Sequence, residues 1–268
     1  MSTVTAPLPQ SASAQSSVAR AFRVYSTEAR YEFLKTLRQP AFVIPTLTFP
    51  LLFYVMFGLV FGGRQSFAST TVSTYMMATY GAFGVIGASL FGFAVGVSTE
   101  RGFGWLDVKR ASPMPPMAYL FAKAFMAMVF SLILVAALYA LGTAFGGVRL
   151  PLIGALQLAG VLIAGSIPFC ALGLALGCLA PANSAPAIVN AIFLPMSFCS
   201  GLWIPLPLLP KVLQQAAPFL PPYHFAQLAL RCTGAQSIGS AAPHVFALAA
   251  FTVAFLLLAR RGFNRDDV

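Results

Sequence analysis

Residues 100–116, "ERGFGWLDVKRASPMPP", form a charged, proline-punctuated island between two apolar runs at about 75–97 and 117–145. Each run has the roughly 20 residues that a helix needs to cross about 30 Å of hydrocarbon. Glu100, Arg101, Asp107, Lys109 and Arg110 all fall in this one connection, although only 8% of the 268 residues are charged. A polar link between two spanning lengths makes the chain a membrane protein crossing more than once.

Composition agrees. Soluble domains carry about 25% charged residues, whereas this chain is 59% hydrophobic with a mean hydropathy of +0.83. Water-soluble fold classes are excluded on that ground. Further apolar windows fall at about 41–61, 152–180, 185–203 and 243–259, giving six expected spans, with Pro195 interrupting the fifth. Twelve of the sixteen basic residues and all six acids lie on one side when both termini are placed inside, and that placement requires an even number of spans, in agreement with six. The net charge of +10 flanks the spans, so topology accounts for it better than nucleic-acid binding does.

Residues 1–19 are Ser-, Ala- and Pro-rich without charge and read as a disordered tail rather than a signal peptide. In residues 20–38, "RAFRVYSTEARYEFLKTLR", Phe22, Tyr25, Ala29, Phe33 and Leu37 recur at spacings of three and four, as in an interfacial amphipathic helix. Gly58 and Gly62, Gly92 and Gly96, Gly142 and Gly146, and Gly173 and Gly177 lie four apart and allow close helix packing within one subunit. Residues 205–234 are apolar but carry six prolines, so short re-entrant half-helices on the outer side are expected before the last span.

Catalytic chemistry is not visible. Cys170, Cys178, Cys199 and Cys232 lack CxxC spacing, and His224 and His244 have no acidic residue nearby in sequence. No Asp or Glu interrupts an apolar window, which argues against an ion-coupled carrier, and Lys123 is close enough to a span end to snorkel. "GFAVGVST" at 92–99 lacks the lysine of a phosphate-binding loop. The chain is therefore not expected to be an enzyme or to hold a metal or cofactor.

Three stretches, "LRQPAFVIPTLTFPLLFYVMFG", "ERGFGWLDVKRASPMPPMAYLFAKAF" and "SFCSGLWIPLPLLPKVLQQAAPFLPPYHFAQLALR", resemble in order and separation the membrane subunits of ATP-binding-cassette transporters of the type-2 exporter class. The likeness covers roughly residues 20 to 260, with residues 20–268 as one transmembrane domain. It implies an all-α polytopic permease with six transmembrane helices and cytoplasmic termini in the inner (plasma) membrane. It also implies pairing with a second permease copy or a related permease, and with two ATPase subunits that bind the ATP and Mg. The connection after the second span would then seat in the ATPase. Glu100, Arg101, Lys109 and Arg110 would supply pairs across that interface, Phe103, Trp105 or Leu106 the anchor, and Gly102 the glycine of the pattern. "GWLD", with its aromatic character and Asp107, departs from the polar or basic stretch common there. Phe198, Ser200, Trp203 and Tyr223 hold positions of an outer gate in the family pattern. The Phe- and Met-rich lumen suits a lipid, glycolipid or hydrophobic drug. A membrane scaffold or sensor of the same architecture is the alternative, and a membrane enzyme the third reading.

Overall fold

A computed structural model of the chain describes residues 13–62, 65–67, 69–111, 114–235 and 240–263. Most of the predicted tail, Pro113 and the side chain of Arg110 lie outside the described residues. Helix α1, Ser13–Leu37, begins before the expected residue 20 and carries the amphipathic pattern. Its packed face differs from the predicted stripe. Ala29, Glu32 and Thr36 are buried, whereas Phe22 is 76% exposed.

Helix α2, Pro40–Phe53, runs directly into a π-helical segment, Tyr54–Phe61, and together they make one apolar length of 22 residues. A two-residue hairpin, Ser66–Phe67 against Thr70–Thr71, leads into α3, Val72–Gly102. Thr71 caps α3 by accepting the Thr74 N–H through Oγ1 at 3.3 Å. Helix α4 is Trp105–Ala111 and α5 is Pro116–Ala144. The fourth apolar length is one span in two pieces, α6, Leu152–Ala164, and α7, Ile167–Leu179, broken where Pro168 removes a donor and Phe225 presses against Gly165.

Helix α3 is the central element. Some 78% of its apolar window is buried, against 17% for α2 with its π-helical continuation and 11% for α11, Ala242–Phe263. The small residues explain how a neighbour comes so close. A Cβ on Gly173 or Gly177 would stand 2.9 or 3.0 Å from the Leu90 or Ala94 carbonyl oxygen of α3, so both glycines serve packing within the chain.

Among the described residues, five helical lengths are long and apolar enough to cross a membrane: Pro40–Phe61, Val72–Gly102, Met117–Ala144, Leu152–Leu179 and Ala242–Gly262. The remaining apolar window falls short. Helix α8 is Ala185–Cys199, 15 residues or about 22 Å, because Ser200 Oγ turns back to the Met196 carbonyl and Gly201, at φ +77°, redirects the chain. The proline-rich stretch then breaks into short pieces, including 3-10 turns at Leu206–Leu208 and Ala217–Phe219, α9 at Lys211–Ala216 and α10 at Pro221–Cys232. The pieces at Leu206 and Lys211 follow a proline, α10 begins on Pro221, and the Ala217–Phe219 turn has Pro218 as its second residue, where a fixed φ suits a first helical turn. Helix α10 buries Phe225, Ala226, Ala229 and Leu230, and Phe225 meets Phe169 of α7 with ring centroids 5.5 Å apart.

Candidate functional site

The charged connection begins inside α3. The helix continues past the apolar window to Gly102, and Gly104, at φ +72°, then turns the chain into α4, with its N–H donating to the Arg101 carbonyl at 3.0 Å. A left-handed residue at this point is what a glycine supplies without a Cβ clash.

Glu100 therefore points inward and is only 7% exposed. Its carboxylate accepts hydrogen bonds from Tyr119 Oη at 2.6 Å, from Lys123 Nζ at 3.3 Å and from Lys35. Lys123 is fully buried rather than reaching for the membrane surface, and it also donates to Glu32 at 2.7 Å; Lys35 lies 3.3 Å from Glu32 as well. Two carboxylates and two ammonium groups thus join α1, α3 and α5 in one neutral cluster. Burial would raise the Glu32 carboxyl, but the Lys123 and Lys35 charges outweigh it and hold the group below the ordinary carboxylate value. Burial would likewise lower the Lys35 ammonium, yet the Glu32 and Glu100 carboxylates leave it raised. Gly96 makes room, since a Cβ there would stand 2.9 Å from Lys123 Nζ.

Arg101 and Lys109 of the connection are also engaged within the chain. Arg101 donates to the carbonyls of Cys178 and, at 3.0 Å, Ala180, satisfying acceptors at the end of α7. Lys109 pairs with Glu28 of α1 at 2.6 Å and stands 4.5 Å over the Tyr119 ring. Leu106 is buried in a cluster with Phe93, Val97 and Leu174. Gly102 is exposed, with the Ala182 methyl close by. Beside Asp107, large apolar side chains face outward: Phe103 is 74%, Trp105 60% and Val108 63% exposed. Trp105 and Val108, three residues apart, share one side of α4, and Leu106 and Lys109 share the other.

The residues taken as an outer gate separate into different contacts. Trp203 packs between Phe53, tilted at a centroid distance of 4.7 Å, and Phe83, edge-on at 5.3 Å, and its carbonyl accepts from Tyr80 Oη at 3.2 Å. Phe193 completes the cluster, 4.9 Å from Phe83. The Trp203 Nε1–H and the Ser197 hydroxyl are buried there without a partner among the described residues. Phe198 is 41% exposed on α8, and Ser200 is buried in its local bond to Met196. Tyr223 packs instead against His224 and His244, whose Nδ1 atoms are 2.9 Å apart. His224 Nε2 lies 2.9 Å from the Pro218 carbonyl, which only accepts, so the neutral ring carries its proton on Nε2 and His244 Nδ1–H donates to His224 Nδ1. Burial lowers the His224 value, in keeping with that neutral form.

Sequence reading missed the cluster of four charges. Its one local signal is Glu32 followed by Lys35, an i,i+3 pair on an amphipathic helix.

Residues 24–232 match the family described as ABC-2 type transporter. The chain is also similar to the candidate transport permease YvfS of Bacillus subtilis (strain 168), with 25% identity over 229 residues that cover 85% of this chain and 92% of the relative.

Proposed function

The chain belongs to the ABC-2 type transporter family, and from that premise we propose that it is the permease subunit of an ATP-driven exporter powered by a separate ATPase. In this reading α8 is a sixth, shortened span, both termini are cytoplasmic, and the membrane is the inner (plasma) membrane. Two permeases, this chain twice or with a relative, join two ATPase subunits that carry ATP and Mg. The cargo is amphipathic or hydrophobic, of drug, lipid or glycolipid type, and passes near Phe198, Trp203 and Tyr223. The description of the Bacillus relative as a transport permease supports a transport role.

The observation that carries the proposal is the two-sided form of α4. Trp105 and Val108, with Phe103 just before the helix, project from the protein, while Leu106 and Lys109 fasten the same element to the bundle. Exposed aromatic side chains on a short helix are the kind of anchor a protein groove takes up. Glu100, Arg101 and Lys109 then act as positioning residues, transmitting a displacement of α4 to α1, α3 and α5. Arg110 remains a candidate for direct pairing with the ATPase.

The test is gentle purification from native membranes with quantification of bound proteins. An equimolar ATPase that is lost in F103A/W105A, while the variant keeps its wild-type melting temperature, is the expected result. A stable complex without any ATPase overturns the transporter reading in favour of the scaffold alternative.

A further inference from the structure

An open groove of about 790 Å³ runs between α1 and α5. Its walls are almost wholly apolar: Phe22, Tyr25 and Phe33 from α1 face Phe121, Phe125 and Val129 from α5. The rings are ordered against one another, with Tyr25 edge-on to Phe121 at 5.5 Å and Phe121 stacked on Phe125 at 6.3 Å. Apolar side chains alone would mark only hydrocarbon contact. The rim adds a sign, because Arg30 lines one edge.

The basic residues of this region divide into two sets. Lys35, Lys109 and Lys123 are paired with carboxylates. Arg20, Arg23 and Arg30 are exposed, and among the described residues none has a carboxylate within ion-pair distance. At roughly 100° per residue these three fall in a sector of about 80° on α1, beside the edge that carries Ser26 and Phe33. The helix thus places a cationic strip along one border of a hydrocarbon-sized groove. Such a juxtaposition matches one class of molecule, an amphiphile with an anionic head and a long apolar tail.

We propose that this groove is a binding site for an anionic phospholipid of the surrounding membrane, with an acyl chain between α1 and α5 and the headgroup phosphate on Arg30, in the field of Arg23. The site is distinct from the aromatic cluster around Trp203 and from the exposed face of α4. Because α1 also holds Glu28, Glu32 and Lys35 of the ionic contacts, an occupied groove would brace the element to which α3 and α4 are tied. The proposal rests on the membrane reading of the chain.

The probes are two photoactivatable lipids with identical diazirine-bearing acyl chains, a phosphatidylglycerol and a phosphatidylcholine, in nanodiscs holding the full chain, with labelled peptides mapped by mass spectrometry. The phosphatidylglycerol probe is expected to label residues 21–33 and 121–129 several-fold more than the phosphatidylcholine probe, while α2 and α11 label equally with both. Each arginine near an anionic headgroup should account for up to about five-fold, so R23Q/R30Q is expected to bring the two probes close to parity in the groove. Ser26→Trp, which places an indole at the groove edge, is expected to reduce labelling by both. Equal labelling of the wild-type groove by the two lipids overturns the proposal without relying on any variant, and so does a preference that survives R23Q/R30Q. Failure of either lipid to label any span would instead overturn the membrane reading itself.

Discussion

Tyr80 and Glu100 belong to the same helix, about 30 Å apart along its axis, and what holds them differs in kind. Around Glu100, four charges and a phenol fix one another by directed bonds. Around Tyr80, the rings of Phe53, Phe83, Phe193 and Trp203 meet by area and shape, with one hydrogen bond to the Trp203 carbonyl. Directed ionic contacts in a buried site are satisfied in one arrangement and costly in others. Ring contacts between 4.7 and 6.2 Å tolerate several geometries. The comparison teaches that α3 is held by directed ionic contacts at its charged end and by ring packing at its aromatic end.

The sharpest way to break the comparison is Glu100→Gln. It leaves the fully buried Lys123 sharing one carboxylate with Lys35, and removing one partner of a buried pair typically costs about 3–5 kcal/mol. Thermal unfolding in detergent should report this, and E100Q/K123M should recover most of the loss, since Glu32 and Lys35 remain paired.

Acid should act on the same cluster more gradually. Glu32 titrates below its ordinary value of 4.5, so the stability it contributes is present above that pH and is lost as pH falls through the depressed folded value. Lys35 is raised above 10.5, so its contribution persists throughout the neutral range. Melting temperatures should therefore be flat near neutrality and fall below about pH 4.5, and E32Q should lack that component.

At the aromatic end, Trp203→Ala should cost about 2 kcal/mol, less than a fully buried tryptophan, and W203F should regain most of it. Such recovery by a merely similar ring is what the charged end should refuse. The smallest effect is expected for Lys109→Met, up to about 1 kcal/mol for a partly exposed pair. The advantage of the wild type over this variant should shrink in molar salt.

Much of this was legible in the residues. Apolar windows at 41–61, 117–145 and 152–180 agree closely with Pro40–Phe61, Met117–Ala144 and Leu152–Leu179. The window at 185–203 overran α8 because hydropathy does not register the turn at Gly201. The window at 75–97 stopped short because α3 carries Glu100 and Arg101 within its hydrogen-bonded ladder, where partners from other helices satisfy both. Those partners were out of reach of any local pattern: Glu100 meets Lys35 across 65 positions, and Lys123 meets Glu32 across 91. For the same reason Glu100, Arg101 and Lys109 looked like surface charges awaiting a second protein, whereas each has partners within the chain and the large apolar side chains Phe103, Trp105 and Val108 are exposed.

The four charges that join α1, α3 and α5 have an electrical consequence. A single elementary charge displaced through a full membrane potential exchanges about 2.3 kcal/mol per 100 mV with the field. Glu32 and Glu100 against Lys35 and Lys123 sum to zero, as do Glu28 and Lys109. Moving together along the membrane normal, these six charges therefore contribute no net work against the voltage, and neutralising any one of them would leave an uncompensated charge in that movement.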